Sequence, residues 1–92
     1  VSLYDLKTIS GESSVGNRLR ESKGQANRVI LNITSNYNPR RLMADIKNYF
    51  DSNSEAKEVI VLKGGRMLKA TRENVKAKKW PKQFFADYTK KK

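Results

Sequence analysis

The sequence has no cysteine and no histidine, only two prolines, and few acidic side chains. Without cysteine it can form neither disulfides nor thiolate metal sites, and without histidine any metal would have to be a hard cation held by carboxylates. The missing histidine also excludes a Ser–His catalytic arrangement and a nuclease that uses a histidine acid–base pair. No apolar run approaches the ~20 residues of a membrane span, and the first residues lack a signal-peptide pattern.

Positive charge is abundant instead. The 92 residues carry 20 Lys and Arg against nine Asp and Glu, which gives a formal net charge of +11. Residues 66–92 contribute +8 of this charge, and residues 1–65 contribute only +3. Because basic side chains neutralise phosphates and release condensed counterions, the composition favours a nucleic acid as the partner. An acidic protein surface and a merely solubilising charge are the alternatives.

Hydrophobic periodicity predicts strands and helices in alternation, followed by a hairpin. Alternating or continuous apolar residues predict strands over 3–9, 28–34 and 58–63, and a two-residue turn at Gly64-Gly65 leads to a last strand over 67–70. Ser13 or Ser14 can cap a short helix that runs to about residue 23. Asn38-Pro39 begin an amphipathic helix that extends to residue 51.

These elements predict one α+β domain over residues 1–92. We expect a small four-stranded, mainly antiparallel sheet with two or three helices packed mostly on one face. The strand–helix–strand segment from 28 to 63 allows either a parallel crossover or an antiparallel return. A chain that enters a strand directly after Val1 is typical of the C-terminal fragment of a larger protein.

Residues 71–92 form a basic aromatic tail. Eight Lys and Arg accompany four aromatic residues whose spacing is i, i+4, i+5 and i+8, namely Trp80, Phe84, Phe85 and Tyr88. This spacing favours a helix whose aromatic side chains join the core while lysines cover its outer face. Stacking of bases between lysines is the alternative.

Polar, hydroxyl-rich and basic side chains flank the first strand and the first helix, outside the segments that the core requires. RNA supplies its own nucleophile, the 2′-OH, so a protein needs only a base, a phosphate clamp and an acid for the leaving group. Lys, Arg and Ser/Thr can fill these roles without metal or histidine. The stretch comprises Asp5, Lys7, Thr8, Ser10, Ser13, Ser14, Asn17, Arg18, Gln25 and Arg28. Hydroxyl residues near turns are, however, more often caps than catalysts.

Three short runs in this order resemble a known family. They are Asp5-Leu6-Lys7 in the first strand, Gln25-Ala26-Asn27-Arg28-Val29 before the second, and Val59-Ile60-Val61-Leu62-Lys63-Gly64-Gly65 at the hairpin. Over residues 3–70 the chain is similar to the C-terminal nuclease domains of contact-dependent growth inhibition toxins and related polymorphic or phage-encoded toxins. These domains belong to the superfamily typified by the barnase, EndoU, colicin and RelE nucleases. The tail after Thr71 lies outside the resemblance.

The resemblance implies a metal-independent endoribonuclease toxin, often directed at tRNA, that needs no cofactor. It implies delivery as the C-terminal piece of a secreted or cell-surface toxin, action in the cytoplasm of the target cell, and neutralisation by a cognate immunity protein. Given the positive charge, this immunity protein should be acidic, and the domain should be a monomer or part of a 1:1 complex.

The polar positions of the family fall on Asp5, Lys7, Thr8, Ser14, Asn17, Arg18, Gln25 and Arg28. We expect Lys7 to stabilise the phosphate or donate a proton, Arg18 and Arg28 to hold phosphates, and Thr8, Ser14 and Gln25 to orient the RNA. The candidate catalytic set is Asp5, Lys7, Thr8, Ser14, Arg18, Gln25 and Arg28. The candidate RNA-binding set is Asn17, Lys63, Arg66, Lys69, Lys90, Lys91 and Lys92.

Two other functions stay open. Asp5-Leu6-Lys7 also resembles the end of a restriction-type Asp…Asp/Glu-x-Lys motif, which predicts a metal-dependent DNase that would need magnesium and a further carboxylate upstream. The third possibility is a basic module that binds RNA or DNA without cleaving it.

Overall fold

The computed structural model of the chain describes residues 4–11, 14–22 and 26–90. Its elements follow one another as β1 (Tyr4–Ile9), α1 (Val15–Ser22), β2 (Arg28–Ile33), α2 (Pro39–Ser52), β3 (Glu58–Lys63), β4 (Arg66–Thr71) and α3 (Trp80–Thr89), with a 3₁₀ turn at Asn74–Lys76. The four strands form one sheet in the order β1-β2-β3-β4. The predicted α+β class, with four strands and three helices, is confirmed.

The directions of the strands correct the expectation of a mainly antiparallel sheet. β1 pairs with β2 and β2 pairs with β3 in parallel, and only β3 and β4 are antiparallel. Each parallel pair is joined through a helix by a connection longer than the dozen residues that a crossover needs, and the packing of these helices on the sheet returns the chain to the same end of the sheet. The parallel alternative for residues 28–63 is therefore the observed one.

Local signals at the ends of the elements act as predicted. The Asn38 side chain accepts hydrogen bonds from the backbone N–H groups of Arg40 and Arg41, at 2.9 and 3.2 Å, and Pro39 stands in the first turn of α2. In the hairpin between β3 and β4, Gly64 and Gly65 have φ values of 57° and 79°. Positive φ at both central residues is the requirement of a type I′ turn, which matches the twist of the strands.

Side-chain alternation gives the sheet two different faces. On one face, which we call the covered face, β2 and β3 direct Val29, Leu31, Val59 and Val61 toward the helices, and all four are fully buried. The other face, which we call the open face, carries three cross-strand rows: Tyr4, Arg28, Glu58, Thr71; Leu6, Ile30, Ile60, Lys69; and Thr8, Asn32, Leu62, Met67. Helices α1 and α2 pack against each other, as do α2 and α3. The core thus lies on one side of the sheet.

The aromatic residues of the tail belong mainly to this core. Trp80, Phe84 and Tyr88 are buried on α3, whereas Phe85 is 38% exposed. The rings of Trp80 and Phe84 lie 5.1 Å apart, and the Tyr88 hydroxyl donates a 2.9 Å hydrogen bond to the carbonyl of Tyr37. The prediction of core aromatics is confirmed for the three buried rings.

Several basic side chains hold the fold together. The guanidinium of Arg72 donates to the carbonyl oxygens of Phe50, Asn53 and Ala56, at 2.8, 2.6 and 3.1 Å, and lies 5.5 Å from the centre of the Phe50 ring. These carbonyls stand at the end of α2 and just after it, where helical hydrogen bonds run out. Arg72 therefore fixes the exit of α2 to the end of β4, which sequence reasoning did not foresee.

Candidate functional site

Asp5 and Lys7 form a polar pair on the covered face of β1. Their side chains are separated by two positions, so they point the same way, and the Lys7 Nζ lies 3.5 Å from the Asp5 Oδ2. Each side chain is 21% exposed, so both are withdrawn from solvent but still reachable. Because β1 is an edge strand, the pair can be approached from the side of the sheet.

Ser22, on helix α1, holds the Asp5 carboxylate of this pair in place. It is the last residue of α1, it is fully buried, and its hydroxyl donates a 2.5 Å hydrogen bond to the Asp5 Oδ2. The sequence analysis did not select Ser22. Its position on α1 could have identified it, since it lies three residues after Leu19 and seven after Val15 on the apolar face of the helix. A serine on that face needs a polar partner on the sheet.

The buried phenol of Tyr49 on α2 is influenced by the charge of Asp5. Burial raises the pKa of Tyr49, the negative charge of Asp5 raises it further, and the side chain of Asn53 acts in the opposite direction. The Tyr49 hydroxyl is buried, and within the described residues no group meets it in standard hydrogen-bond geometry. The raised pKa keeps Tyr49 protonated at neutral pH.

The polar residues predicted on α1 make local helix contacts. The Ser14 hydroxyl accepts a long 3.4 Å hydrogen bond from the N–H of Asn17, as a capping side chain does. Arg18 forms a 3.3 Å ion pair with Glu21, and the side chain of Asn17 accepts a hydrogen bond from Arg20. The Arg18 side chain is 42% exposed, so its charge is accessible at the surface of α1.

Thr8 and Arg28 lie on the other side of the sheet from the Asp5–Lys7 pair. Thr8 is exposed on the open face. The Arg28 Nε lies 3.7 Å from the Glu58 carboxylate, and its guanidinium lies 5.8 Å from the centre of the Tyr4 ring. The candidate catalytic set is therefore divided, with Asp5 and Lys7 together and with Thr8 and Arg28 beyond the sheet. Gln25 lies outside the described residues.

The candidate RNA-binding residues also differ in their surroundings. Lys63 donates to the carbonyl of Ser35 at 2.7 Å, and Arg66 donates to the carbonyl of Tyr88 at 2.8 Å, so both have structural partners. Lys69 is exposed on the open face and Lys90 is exposed after α3. Lys91 and Lys92 lie outside the described residues.

Residues 4–11, 14–22 and 26–90 contain no group of three carboxylates that could hold a metal ion. In this part of the chain, every helix is too short or too polar to cross a bilayer.

Comparison with protein families identifies the chain. A family model described as the contact-dependent growth inhibition CdiA C-terminal domain matches residues 2–68. The chain belongs to this family. It is thus the toxin domain of a contact-dependent growth inhibition system, a class that is delivered into target cells by cell contact and consists typically of nucleases paired with immunity proteins. No curated protein and no solved structure matches the chain.

The family match covers the sheet and its first two helices. It includes Asp5, Lys7 and Ser22 and ends within β4, before α3. The polar pair therefore lies within the residues that match the family, and α3 lies beyond them.

Proposed function

We propose that this domain is a metal-independent endoribonuclease toxin that cleaves RNA, with tRNA as its substrate, in the cytoplasm of a competitor cell. The observation that carries the proposal is the Asp5–Lys7 pair, a carboxylate and an ammonium 3.5 Å apart on an edge strand of a domain with a net charge of +11. Membership of a family whose toxins are typically nucleases supports the same activity.

The pair suits cleavage by the 2′-OH of RNA. The Asp5 carboxylate takes the proton of the 2′-OH, whose oxygen attacks the adjacent phosphorus, and the bond from phosphorus to the 5′-oxygen breaks. The Lys7 ammonium stabilises the negative charge that develops on the phosphate oxygens and supplies the proton to the departing 5′-oxygen. The products are a 2′,3′-cyclic phosphate and a 5′-hydroxyl.

Neighbouring residues position the reacting groups. Ser22 fixes the Asp5 carboxylate through its 2.5 Å hydrogen bond, which keeps one oxygen oriented while the other remains available. Arg18, with an accessible guanidinium on α1, binds a phosphate beside the scissile bond. Ser14 and Gln25 orient the RNA, and the exposed Asn17, Lys69 and Lys90 contact its backbone together with Lys91 and Lys92.

A toxin of this kind must be neutralised in the cell that makes it. We infer that its partner is an acidic immunity protein that forms a 1:1 complex and covers part of the cationic surface. Long-range attraction should make their association fast at low salt and slower as salt is added. An association rate that does not change with salt would argue against this electrostatic steering.

The activity is tested by incubating the domain with total tRNA, with and without EDTA, and by analysing the ends of the fragments. We expect cleavage in both conditions, 2′,3′-cyclic phosphate ends, and no cleavage of the same sequences made of DNA. Lys7→Ala and Asp5→Asn should abolish cleavage, whereas Lys47→Ala, which removes an exposed lysine from α2, should not. Complete loss of cleavage in EDTA would overturn the metal-independent mechanism.

A metal-dependent DNase is the second candidate. It is favoured by the observation that Asp5 and Lys7 share one face of a strand and lie 3.5 Å apart, as an acid-x-Lys motif requires. Such a site would need a further carboxylate to complete the set of magnesium ligands. Cleavage of plasmid DNA in Mg²⁺ that stops in EDTA would select this activity, and binding of both nucleic acids without any cleavage would indicate a non-catalytic module.

A further inference from the structure

The open face of the sheet exposes large apolar side chains. Tyr4 is 53% exposed, and Leu6 and Met67 are each 62% exposed. Ile30 and Leu62 are partly exposed beside them. In the described part of the chain, all three helices pack on the covered face, so no helix shields these residues. Exposed apolar side chains that share one face of a sheet and are bordered by polar residues are typical of interaction sites.

Cationic and hydrogen-bonding groups surround these apolar side chains. Arg28 lies next to the Tyr4 ring, with 5.8 Å from its guanidinium carbon to the ring centre, and Lys69 is exposed on β4 in the row of Leu6. Thr8 and Asn32 occupy the next row. The face therefore combines an aromatic ring, apolar contacts, two cations and neutral polar groups within four strands spaced about 4.8 Å apart. It also carries one carboxylate, that of Glu58, which lies 3.7 Å from the Arg28 Nε and accepts a 3.5 Å hydrogen bond from the Tyr4 hydroxyl.

We propose that the open face binds a single-stranded stretch of RNA. A base stacks on Tyr4, whose ring is flanked by Arg28, neighbouring bases contact Leu6 and Met67, and Lys69 binds a phosphate between them. A double helix hides its bases and offers only its phosphate backbone and grooves, so it cannot use the exposed ring. An unpaired strand can, because base–aromatic stacking accepts every base and a cationic surface follows the backbone.

The geometry connects this surface with the Asp5–Lys7 pair. Tyr4 and Asp5 are consecutive residues of the edge strand β1 and point to opposite faces. An RNA strand held on the open face reaches Lys7 by passing around this edge. Unpaired RNA as the substrate class rests on the proposed ribonuclease activity. Binding of RNA to the open face does not require cleavage.

The test measures binding without cleavage. The probe is a fluorescent 2′-O-methyl oligouridine of about 15 nucleotides, which lacks the 2′-OH nucleophile, and its affinity is measured by fluorescence anisotropy. Tyr4→Ala should weaken binding by about 5- to 100-fold, and Tyr4→Phe should restore most of the loss. Phe85→Ala, which removes an exposed ring from α3, is the matched control and should leave the affinity unchanged. Affinity for a blunt-ended RNA duplex should change by less than about twofold in all three variants.

A second readout reports contact directly. In the variant Tyr4→Trp, the new indole should be quenched by the oligouridine, whereas the buried Trp80 of the wild-type protein should not respond. Unchanged affinity of Tyr4→Ala together with an unquenched Tyr4→Trp would overturn the proposal and leave the open face to a protein partner. Equal weakening by Tyr4→Ala and Phe85→Ala would overturn it as well. Oligouridine binding that depends on Tyr4, in a domain that leaves tRNA intact, would refute the ribonuclease and uphold the open-face site.

Discussion

The two faces of the sheet share the same four strands but differ in what their side chains contact. On the covered face the side chains of β2 and β3 are fully buried against the helices, and the polar pair of β1 is withdrawn to 21% exposure. On the open face the ends of the rows are exposed, with Leu6 on one edge strand and Met67 on the other. We therefore propose that the covered face provides stability and the catalytic chemistry, and that the open face recognises the nucleic acid.

The same division applies to the positive charges. Lys63, Arg66 and Arg72 donate to backbone carbonyls and so serve the fold. Lys69 and Lys90 are exposed and have no such structural task in the described residues. A net charge of +11 therefore overstates how many cations are available to bind phosphates.

Removal of α3 should have the largest effect on the covered face. A chain that ends at Lys79 loses the buried Trp80, Phe84 and Tyr88, and burial of each such ring contributes about 1.5–3 kcal/mol. Because a small domain is stable by only about 5–15 kcal/mol, we expect the shortened chain to lose cooperative folding. Thermal unfolding followed by circular dichroism measures this. A retained melting temperature would show that the aromatic residues are not part of the core.

Truncation of neighbouring residues on β2 compares the two faces directly. Leu31→Ala, on the covered face, should lower the free energy of unfolding by about 2–5 kcal/mol because it opens a cavity in the core. Ile30→Ala, on the open face, should lower it by only about 1 kcal/mol. Urea denaturation of both variants gives the two values. Equal losses would mean that the open face is also packed, and the distinction between the faces would fail.

Arg72 should matter for stability and not for RNA binding. Arg72→Ala removes the charged donor to three carbonyls at the exit of α2 and should lower the free energy of unfolding by about 1.5–3 kcal/mol. Arg72→Lys should rescue only part of this loss, since an ammonium cannot reproduce the planar fork. Lys69→Ala, the matched control on β4, should leave the stability unchanged and weaken oligouridine binding. Unchanged stability of Arg72→Ala together with weaker oligouridine binding would instead place Arg72 among the RNA contacts.

The terminal lysines should have the smallest effect. Replacement of Lys90, Lys91 and Lys92 by alanine should weaken RNA binding and flatten the dependence of log affinity on log salt by up to about three, because each phosphate contact releases a counterion. The melting temperature should stay nearly the same. A salt dependence equal to that of the wild-type protein would show that this end of the chain does not contact the RNA backbone.

Much of the fold could be predicted from the sequence. The alternation in β1, the apolar runs in β2 and β3, and the cap at Asn38 indicate the right elements within one or two residues. The spacing of Trp80, Phe84 and Tyr88 predicted their burial. These signals are local, and local preference agrees with the tertiary structure in this part of the chain.

The directions of the strands and the contacts between distant residues could not be predicted in the same way. Parallel and antiparallel returns fit the same strand and helix lengths, so the choice for β1 and β2 depends on how α1 packs. Ser22 meets Asp5 across 17 positions, and Arg72 meets Phe50 across 22. The candidate site was divided for a simpler reason, since Thr8 follows Lys7 directly and consecutive strand residues point to opposite faces.

The most direct test of the account is a single-turnover measurement of tRNA cleavage by Lys7→Ala and Tyr4→Ala over a range of enzyme concentrations. We predict that Lys7→Ala lowers the rate constant at saturation by about 100-fold or more and leaves the half-saturating concentration unchanged. Tyr4→Ala should raise the half-saturating concentration and leave the rate constant at saturation nearly unchanged. Wild-type cleavage by Lys7→Ala would contradict the assignment of chemistry to the covered face. If both variants changed only the rate constant at saturation, or both changed only the half-saturating concentration, the separation of chemistry on the covered face from RNA recognition on the open face would be contradicted.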